Sequence, residues 1–142
     1  MKVVLGSDEK TPLTDAVEEA LRKRGFQVDL FGPPAGDDSD WVEVGRRVGE
    51  AVSSGEATSG VLFCWTGTGA SIAANKVSGV RAALCTDRET AVGARRWNDA
   101  NVLVMSLRLT SPTVASEMID AWFSTEPDAD EAARIARLET GS

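Results

Sequence analysis

Short apolar runs alternate with amphipathic stretches along almost the whole chain, the pattern of parallel strands joined by crossover helices. Residues 2–7 read as a first strand. Leu13, Ala16, Val17, Ala20 and Leu21 then recur at helical spacing over 11–24, and Gly25 stands where a helix stop belongs. The unit repeats with a strand over 27–31, a Gly-Pro-Pro loop over 32–38, and a helix over 41–53 carrying Val44, Val48, Ala51 and Val52 on one side. A fully apolar third strand over 60–64 leads into a glycine-rich turn and a helix over about 70–76. A fourth strand over 80–84, a helix over 86–97, a fifth strand over 102–105 and a helix over 112–123 follow, the last with Pro112 in its first turn. Beyond Thr125-Glu126-Pro127, acids at Asp128 and Asp130 precede a periodic apolar stretch, so a terminal helix is expected over about 128–139. The expected fold is α/β: one domain over 1–142, built as a five-stranded parallel sheet between helical layers with a C-terminal helix.

Composition narrows the function. A chain of 142 residues is long enough for a real core, since domains of this size bury roughly 70% of the surface their unfolded chains expose. The 22 Asp and Glu against 15 Lys and Arg give a net charge of -7, which offers no basic field to a phosphate backbone, so nucleic acid is not an expected partner. No apolar run is long enough for a secretory core or a bilayer span, and a cytoplasmic protein without membrane attachment is expected. Histidine is absent. That excludes Ser-His-Asp and Cys-His nucleophiles and histidine zinc sites within the chain, and leaves acid–base chemistry to Cys, Asp, Glu or Lys. The two cysteines, Cys64 and Cys85, stand in apolar runs without metal-ligand spacing, as reduced thiols do.

In an open parallel sheet ligands collect beyond the carboxyl ends of the strands. There, Cys64-Trp65-Thr66-Gly67-Thr68-Gly69-Ala70-Ser71 places a thiol at a strand end and a small-residue turn at a helix start. Glycines admit close backbone approach, exposed amides bind an oxyanion, and the helix dipole favours a thiolate. The Gly-x-Gly lacks the third glycine of a dinucleotide fingerprint and the Gly-Lys-Ser/Thr ending of a P-loop. By itself the turn fits a structural role as well as a functional one, and Cys64 fits a small buried apolar side chain as well as a base. Cys85, on the next strand without such a turn, reads as core.

The longer run from Cys64 to Lys76, followed by Gly79-Val80-Arg81-Ala82-Ala83 and by Arg95-Arg96-Trp97-Asn98-Asp99-Ala100-Asn101-Val102-Leu103, resembles the ribose-5-phosphate isomerase B and galactose-6-phosphate isomerase family. The similarity extends from Gly6-Ser7-Asp8 to the terminal helix. It implies a flavodoxin-like or Rossmann-like three-layer sandwich and isomerisation of sugars or sugar phosphates without metal or other cofactor. It also implies a homodimer with shared active sites, the terminal helix reaching the partner subunit, and leaves open whether dimers pair into tetramers. Within that resemblance Cys64 takes the place of the base that moves a proton between C1 and C2, and Thr66 lies beside the ring-opening site. Gly67, Thr68, Gly69 and Ser71 belong to the backbone anion hole over the enediolate. Asp8 and Asn98 match residues that contact substrate hydroxyls. This chemistry agrees with the residues themselves, because removing a hydrogen α to a carbonyl develops negative charge that preorganised amides stabilise.

The chain departs from the family pattern at named positions. Glu9 and Trp97 stand where the family has histidines, the second being the one credited with opening the sugar ring; an indole N–H donates a hydrogen bond but does not shuttle a proton. Trp97 is open to two readings, a stacking face for the sugar or helix packing. Asp130-Glu131 replaces an Arg-His pair that meets substrate phosphate, while Arg134 remains, and Arg108 and Arg137 are further candidate anion partners. Trp65 replaces a glycine, and Asp40-Trp41-Val42 stands where Asp-Tyr-Pro is common. These departures point to an isomerase whose substrate is not ribose 5-phosphate: one that is unphosphorylated, carries a neutral or positive distal group, or is available in open-chain form. The competing readings are a noncatalytic sugar-binding or regulatory paralogue, and retained ribose-5-phosphate isomerase activity in which Asp8, Glu9 or Asp99 supplies the proton transfer.

Overall fold

The computed structural model describes residues 1–141. Along the chain the elements are β1 (Lys2–Ser7), α1 (Pro12–Lys23), β2 (Gln27–Phe31), α2 (Trp41–Ser53), β3 (Ser59–Cys64), α3 (Thr68–Asn75), β4 (Ala82–Leu84), α4 (Arg88–Asn98), β5 (Val102–Ser106), α5 (Pro112–Ser124) and α6 (Ala132–Thr140). All five strands are parallel, in the order β2-β1-β3-β5-β4. This is the expected α/β sandwich, with one refinement: β5 lies between β3 and β4, where the simple flavodoxin order would run 2-1-3-4-5.

Right-handed crossovers decide which face each helix covers. The chain crosses the sheet in one sense through α1 and α4 and in the opposite sense through α2 and α3, so the two pairs lie on opposite faces. Strand parity matches. Val3, Leu5, Val61, Phe63, Leu103 and Met105 pack with α1, α4 and α5, whereas Val4, Leu62, Cys64, Val102 and Val104 pack with α2 and α3. The side chain of Cys64 is thereby committed to the α2/α3 layer.

Thr11, Asp40, Asp87 and Ser111 each accept a first-turn amide and set where α1, α2, α4 and α5 begin. The Asp87 cap moves the start of α4 to Arg88 from the expected 86. Likewise β4 begins at Ala82 rather than 80, because the chain turns at Gly79 and the Arg81 amide is taken by Asn101 Oδ1 at 2.7 Å. The loop at 33–35 holds a single 3-10 turn. The expected helix over 128–139 is instead a 3-10 turn at Ala129–Glu131 followed by α6. At the outer edge of the sheet the Asn75 amide imitates a neighbouring strand, accepting from Ala82 N at 2.8 Å and donating to Ala82 O at 2.9 Å.

The positions of α2 and α3 matter most for the site. Gly45 and Gly49, one turn apart on α2, face α3 so closely that a Cβ on Gly45 would sit 2.7 Å from Ala73 Cβ and 3.0 Å from Ala70 O, and one on Gly49 would sit 3.0 Å from Val77 Cγ2. The backbone oxygen cannot move aside. Gly45→Ala therefore forces the helices apart, and although alanine favours a helix by about 1 kcal/mol, overpacking outweighs it. The expected net destabilisation is about 1–3 kcal/mol in a urea titration.

Candidate active site

Cys64 ends β3, opposite Ser106 of β5, and is 5% exposed. The loop after β5 braces the turn that follows it. Leu107 N donates to Cys64 O at 3.0 Å, Arg108 N and Ser106 Oγ donate to Trp65 O at 3.1 and 2.9 Å, and Ser106 Oγ accepts Leu109 N at 3.2 Å. Arg108 is thereby anchored beside the turn through its backbone, with its side chain exposed. Gly67 then reverses the chain with φ +81°, and a Cβ there would lie 2.6 Å from Leu84 Cδ1 and 3.3 Å from Met105 O, so only glycine serves. This turn starts α3 at Thr68, two residues before the sequence suggested.

The turn leaves backbone donors free. No side chain caps α3: Thr68 N lies 3.5 Å from Thr66 Oγ1, Ser71 N bonds Gly67 O, and the amides of Gly69 and Ala70 find no acceptor among the described residues. Thr66 and Thr68 share a hydroxyl contact at 2.8 Å and are exposed. Free amides at a helix N-terminus attract negative charge. A thiol at the end of β3, beneath such a turn, has the components for taking a proton from carbon while developing charge on oxygen is held.

Asp8 follows β1. Ser7 pairs with Phe63, so Asp8 is one step past that pair, level with Cys64. Ser7 is fully buried and clamps the next loop, donating to Glu9 O at 2.6 Å and accepting Glu9 N at 3.2 Å. Asp8 Oδ1 is buried without a hydrogen-bond partner. Burial, then the charges of Glu9 and Asp40, hold the Asp8 carboxyl above the ordinary carboxylate range. An orphaned acceptor beside a thiol suits a substrate hydroxyl. Cys85, by contrast, is fully buried and its thiol is pushed up to about 12, first by burial and then by Asp87, which makes it inert core.

The remaining sequence candidates lie elsewhere. Trp97 and Asn98 end α4 near the amino edge of the sheet, where Asn101 O accepts Gly60 N at 3.0 Å. Cys64 is at the far end of β3, about 17 Å away along the strand. The Trp97 ring lies over Gly93, whose Cβ would meet it at 2.8 Å, and is 54% exposed. Arg134, on the exposed α6, pairs with Glu131 at 3.2 Å. The chain thus gathers Asp8, Glu9, Cys64, Thr66, Gly67, Thr68, Gly69, Ser71 and Arg108 at one edge, and holds Trp97, Asn98 and Arg134 apart from them. Trp41, absent from the sequence candidates, packs its ring on Gly69. Among the described residues no group of three or more His, Cys, Asp or Glu is arranged to hold a metal, and no helix is long and apolar enough to cross a membrane.

The raised Asp8 titration has a definite sign. The protonated form is favoured by the fold, so its contribution to stability is present below the ordinary value of 3.8 and is lost as pH rises through the higher folded value. Asp8→Asn should melt above the wild type at pH 7, with the difference closing as pH falls below 3.8. Thermal melts across pH check this.

Residues 3–138 match the family described as Ribose/Galactose Isomerase. The chain is 34% identical over 128 residues to the D-erythrulose-4-phosphate isomerase of Pectobacterium atrosepticum, covering 89% of this chain and 84% of that protein. Among solved structures, ribose-5-phosphate isomerase B of Clostridium thermocellum superposes with a TM-score of 0.91 at 38% identity, covering 99% of this chain and 96% of that one. The Mycoplasma genitalium ribose-5-phosphate isomerase B with bound ribulose-5-phosphate superposes with a TM-score of 0.91 at 29% identity, covering 99% and 95%. Sequence match and fold agree over nearly the whole length, and the chain belongs to the Ribose/Galactose Isomerase family.

Proposed function

We propose that the protein interconverts an aldose phosphate and its ketose by moving a proton between C1 and C2 with Cys64 as base, and that its preferred substrate is a four-carbon sugar 4-phosphate. The observation that carries the reading is the thiol at the end of β3 beneath the uncapped first turn of α3, with Asp8 Oδ1 unpartnered at the same level. Asp8 accepts a substrate hydroxyl, Thr66 flanks it, and the amides from Gly67 to Ser71 hold the enediolate oxygen as charge develops. Sugar-phosphate isomerisation is the activity of the family.

The choice of substrate rests on ring chemistry. A pentose 5-phosphate is largely a closed furanose, and opening it requires reversible proton exchange. This chain contains no histidine, and Trp97 occupies the position assigned by resemblance to the ring-opening imidazole. A four-carbon sugar phosphorylated on O4 has no hydroxyl left to close a five-membered ring. Its carbonyl is already free. The Pectobacterium relative, named for D-erythrulose 4-phosphate, supports the same reading.

The complete site is assembled from two copies of the chain. Trp97, Asn98 and Arg134 stand far from Cys64 within a protomer, and α6 buries none of its residues. An isolated helix so short is marginal in water, which favours a partner surface for it. In this arrangement Arg134 and Arg137 of one copy meet the distal phosphate of a substrate whose C1 and C2 lie over Cys64 of the other, and Trp97 forms a non-titrating wall.

Incubation with D-erythrose 4-phosphate in D2O is expected to give ketose with deuterium incorporated at C1. Cys64→Ser lowers turnover by at least about 100-fold, the range associated with general-base catalysis. Ribose 5-phosphate is expected to give kcat/KM at least about tenfold lower, a difference of about 1.4 kcal/mol in transition-state stabilisation. Preference for ribose 5-phosphate, or exchange unaltered by Cys64→Ser, contradicts the reading.

A further inference from the structure

Three observations converge at the start of α2. First, the close seat formed by Gly45 and Gly49 fixes the register of α2 on α3, so that the residue one turn before Gly45, Trp41, falls over the first turn of α3. Its ring is so close that a Cβ on Gly69 would lie 2.9 Å from Cε3 and 3.1 Å from Cζ3. Second, Gly69 carries one of the two amides left without an acceptor, and Trp41 is a half-exposed apolar wall beside it. Third, Cys64 packs into this same α2/α3 layer, and the charge of Asp40, the cap of α2, reaches Asp8. The amino end of α2 borders the thiol, the unpartnered amides and the orphaned carboxylate together.

We propose that Trp41 is a positioning residue for the isomerisation: its indole, seated on Gly69, shields the anion turn and the Cys64 thiol from water while the proton is in transit. This inference rests on the isomerase reading and adds a residue to it. In the forward direction the Cys64 thiolate takes the hydrogen from C2 of the aldose. The C2–H electrons form the C1–C2 double bond, and the carbonyl electrons settle on O1. The hydroxyl proton of O2 passes to O1, and the thiol returns its hydrogen to C1 as O2 becomes the carbonyl. Atoms and charge balance, and the thiolate is regenerated. Two consequences follow from covering the turn. Amide dipoles act more strongly on the enediolate when water is excluded, and the hydrogen held by sulfur reaches C1 before it exchanges with solvent.

The second consequence gives a readout that a merely structural tryptophan would not move. D-Erythrose 4-phosphate deuterated at C2 is converted in ordinary water, and the deuterium delivered to C1 of the ketose is measured. The wild type is expected to carry over a measurable fraction. Trp41→Ala is expected to lower that fraction at least about threefold and kcat about tenfold, with KM changed less than about threefold, because the lost interaction acts as charge develops. Trp41→Phe, which keeps a flat apolar face on Gly69, restores most of both. Equal carry-over in wild type and Trp41→Ala overturns the proposal, as does no carry-over in the wild type. If the alanine variant does not fold, Trp41→Leu gives the same comparison. If the tetrose phosphate is not turned over but ribose 5-phosphate is, the substrate assignment fails and the comparison is made with ribose 5-phosphate deuterated at C2; turnover of neither overturns both.

Discussion

The left-handed turn at Gly67 is the constraint on which the site depends. It lies between the Leu84 side chain and the Met105 carbonyl, where no Cβ fits, and it begins α3 immediately above the end of β3. A conventional side-chain cap would have satisfied the first amides of the helix and left nothing for an oxyanion. The positive φ at Gly67 is therefore both a folding requirement and the source of the free donors. Ser106 and the backbone of Leu107 and Arg108 hold the turn from the neighbouring strand, so its geometry is inherited from the β3–β5 pairing rather than from the loop alone.

The electrostatic character of this edge is acidic. The charges of Glu9 and Asp40 act on Asp8, and among the described residues none of the three is offset by a basic side chain in a direct ion pair. Of these three the Asp8 carboxyl is the one held above the ordinary range, and the dominant cause is burial rather than its like-charged neighbours. A carboxylate kept partly out of water without a donor costs stability once it is ionised. Cys85 shows the opposite use of burial, since its thiol is raised to about 12 and removed from chemistry. The two cysteines differ in setting, Cys64 ending β3 beneath the uncapped start of α3 and Cys85 following β4 in the core.

Much of this was legible in the sequence because the signals were local. Short apolar runs at 2–7, 60–64 and 102–105 marked buried strands, and the glycine-rich turn after Cys64 marked the candidate site. Boundaries moved where a cap or a positive φ intervened, at Asp87, Gly67 and Gly79, because hydrophobic periodicity says nothing about the residue that ends it. The separation of Trp97, Asn98 and Arg134 from Cys64 was not legible, since a motif scan orders residues along the chain and does not say which edge of the sheet each one occupies. Nor was the role of Trp41. Its spacing from Gly45 and Gly49 is visible in the sequence, but the partner of that face is α3, which only the crossover geometry selects.

The Asn75 side chain, which bonds both backbone groups of Ala82, bears on how copies of this chain can meet. An open sheet edge invites another strand, and short edge strands with occupied hydrogen-bonding groups discourage it. Here the substitute strand is a single amide at the end of α3, so continuing the sheet into a neighbouring molecule would require breaking both of its bonds. The amide therefore closes the β4 side alone, and β2 forms the other edge of the sheet, so any strand pairing between copies is confined to the β2 side.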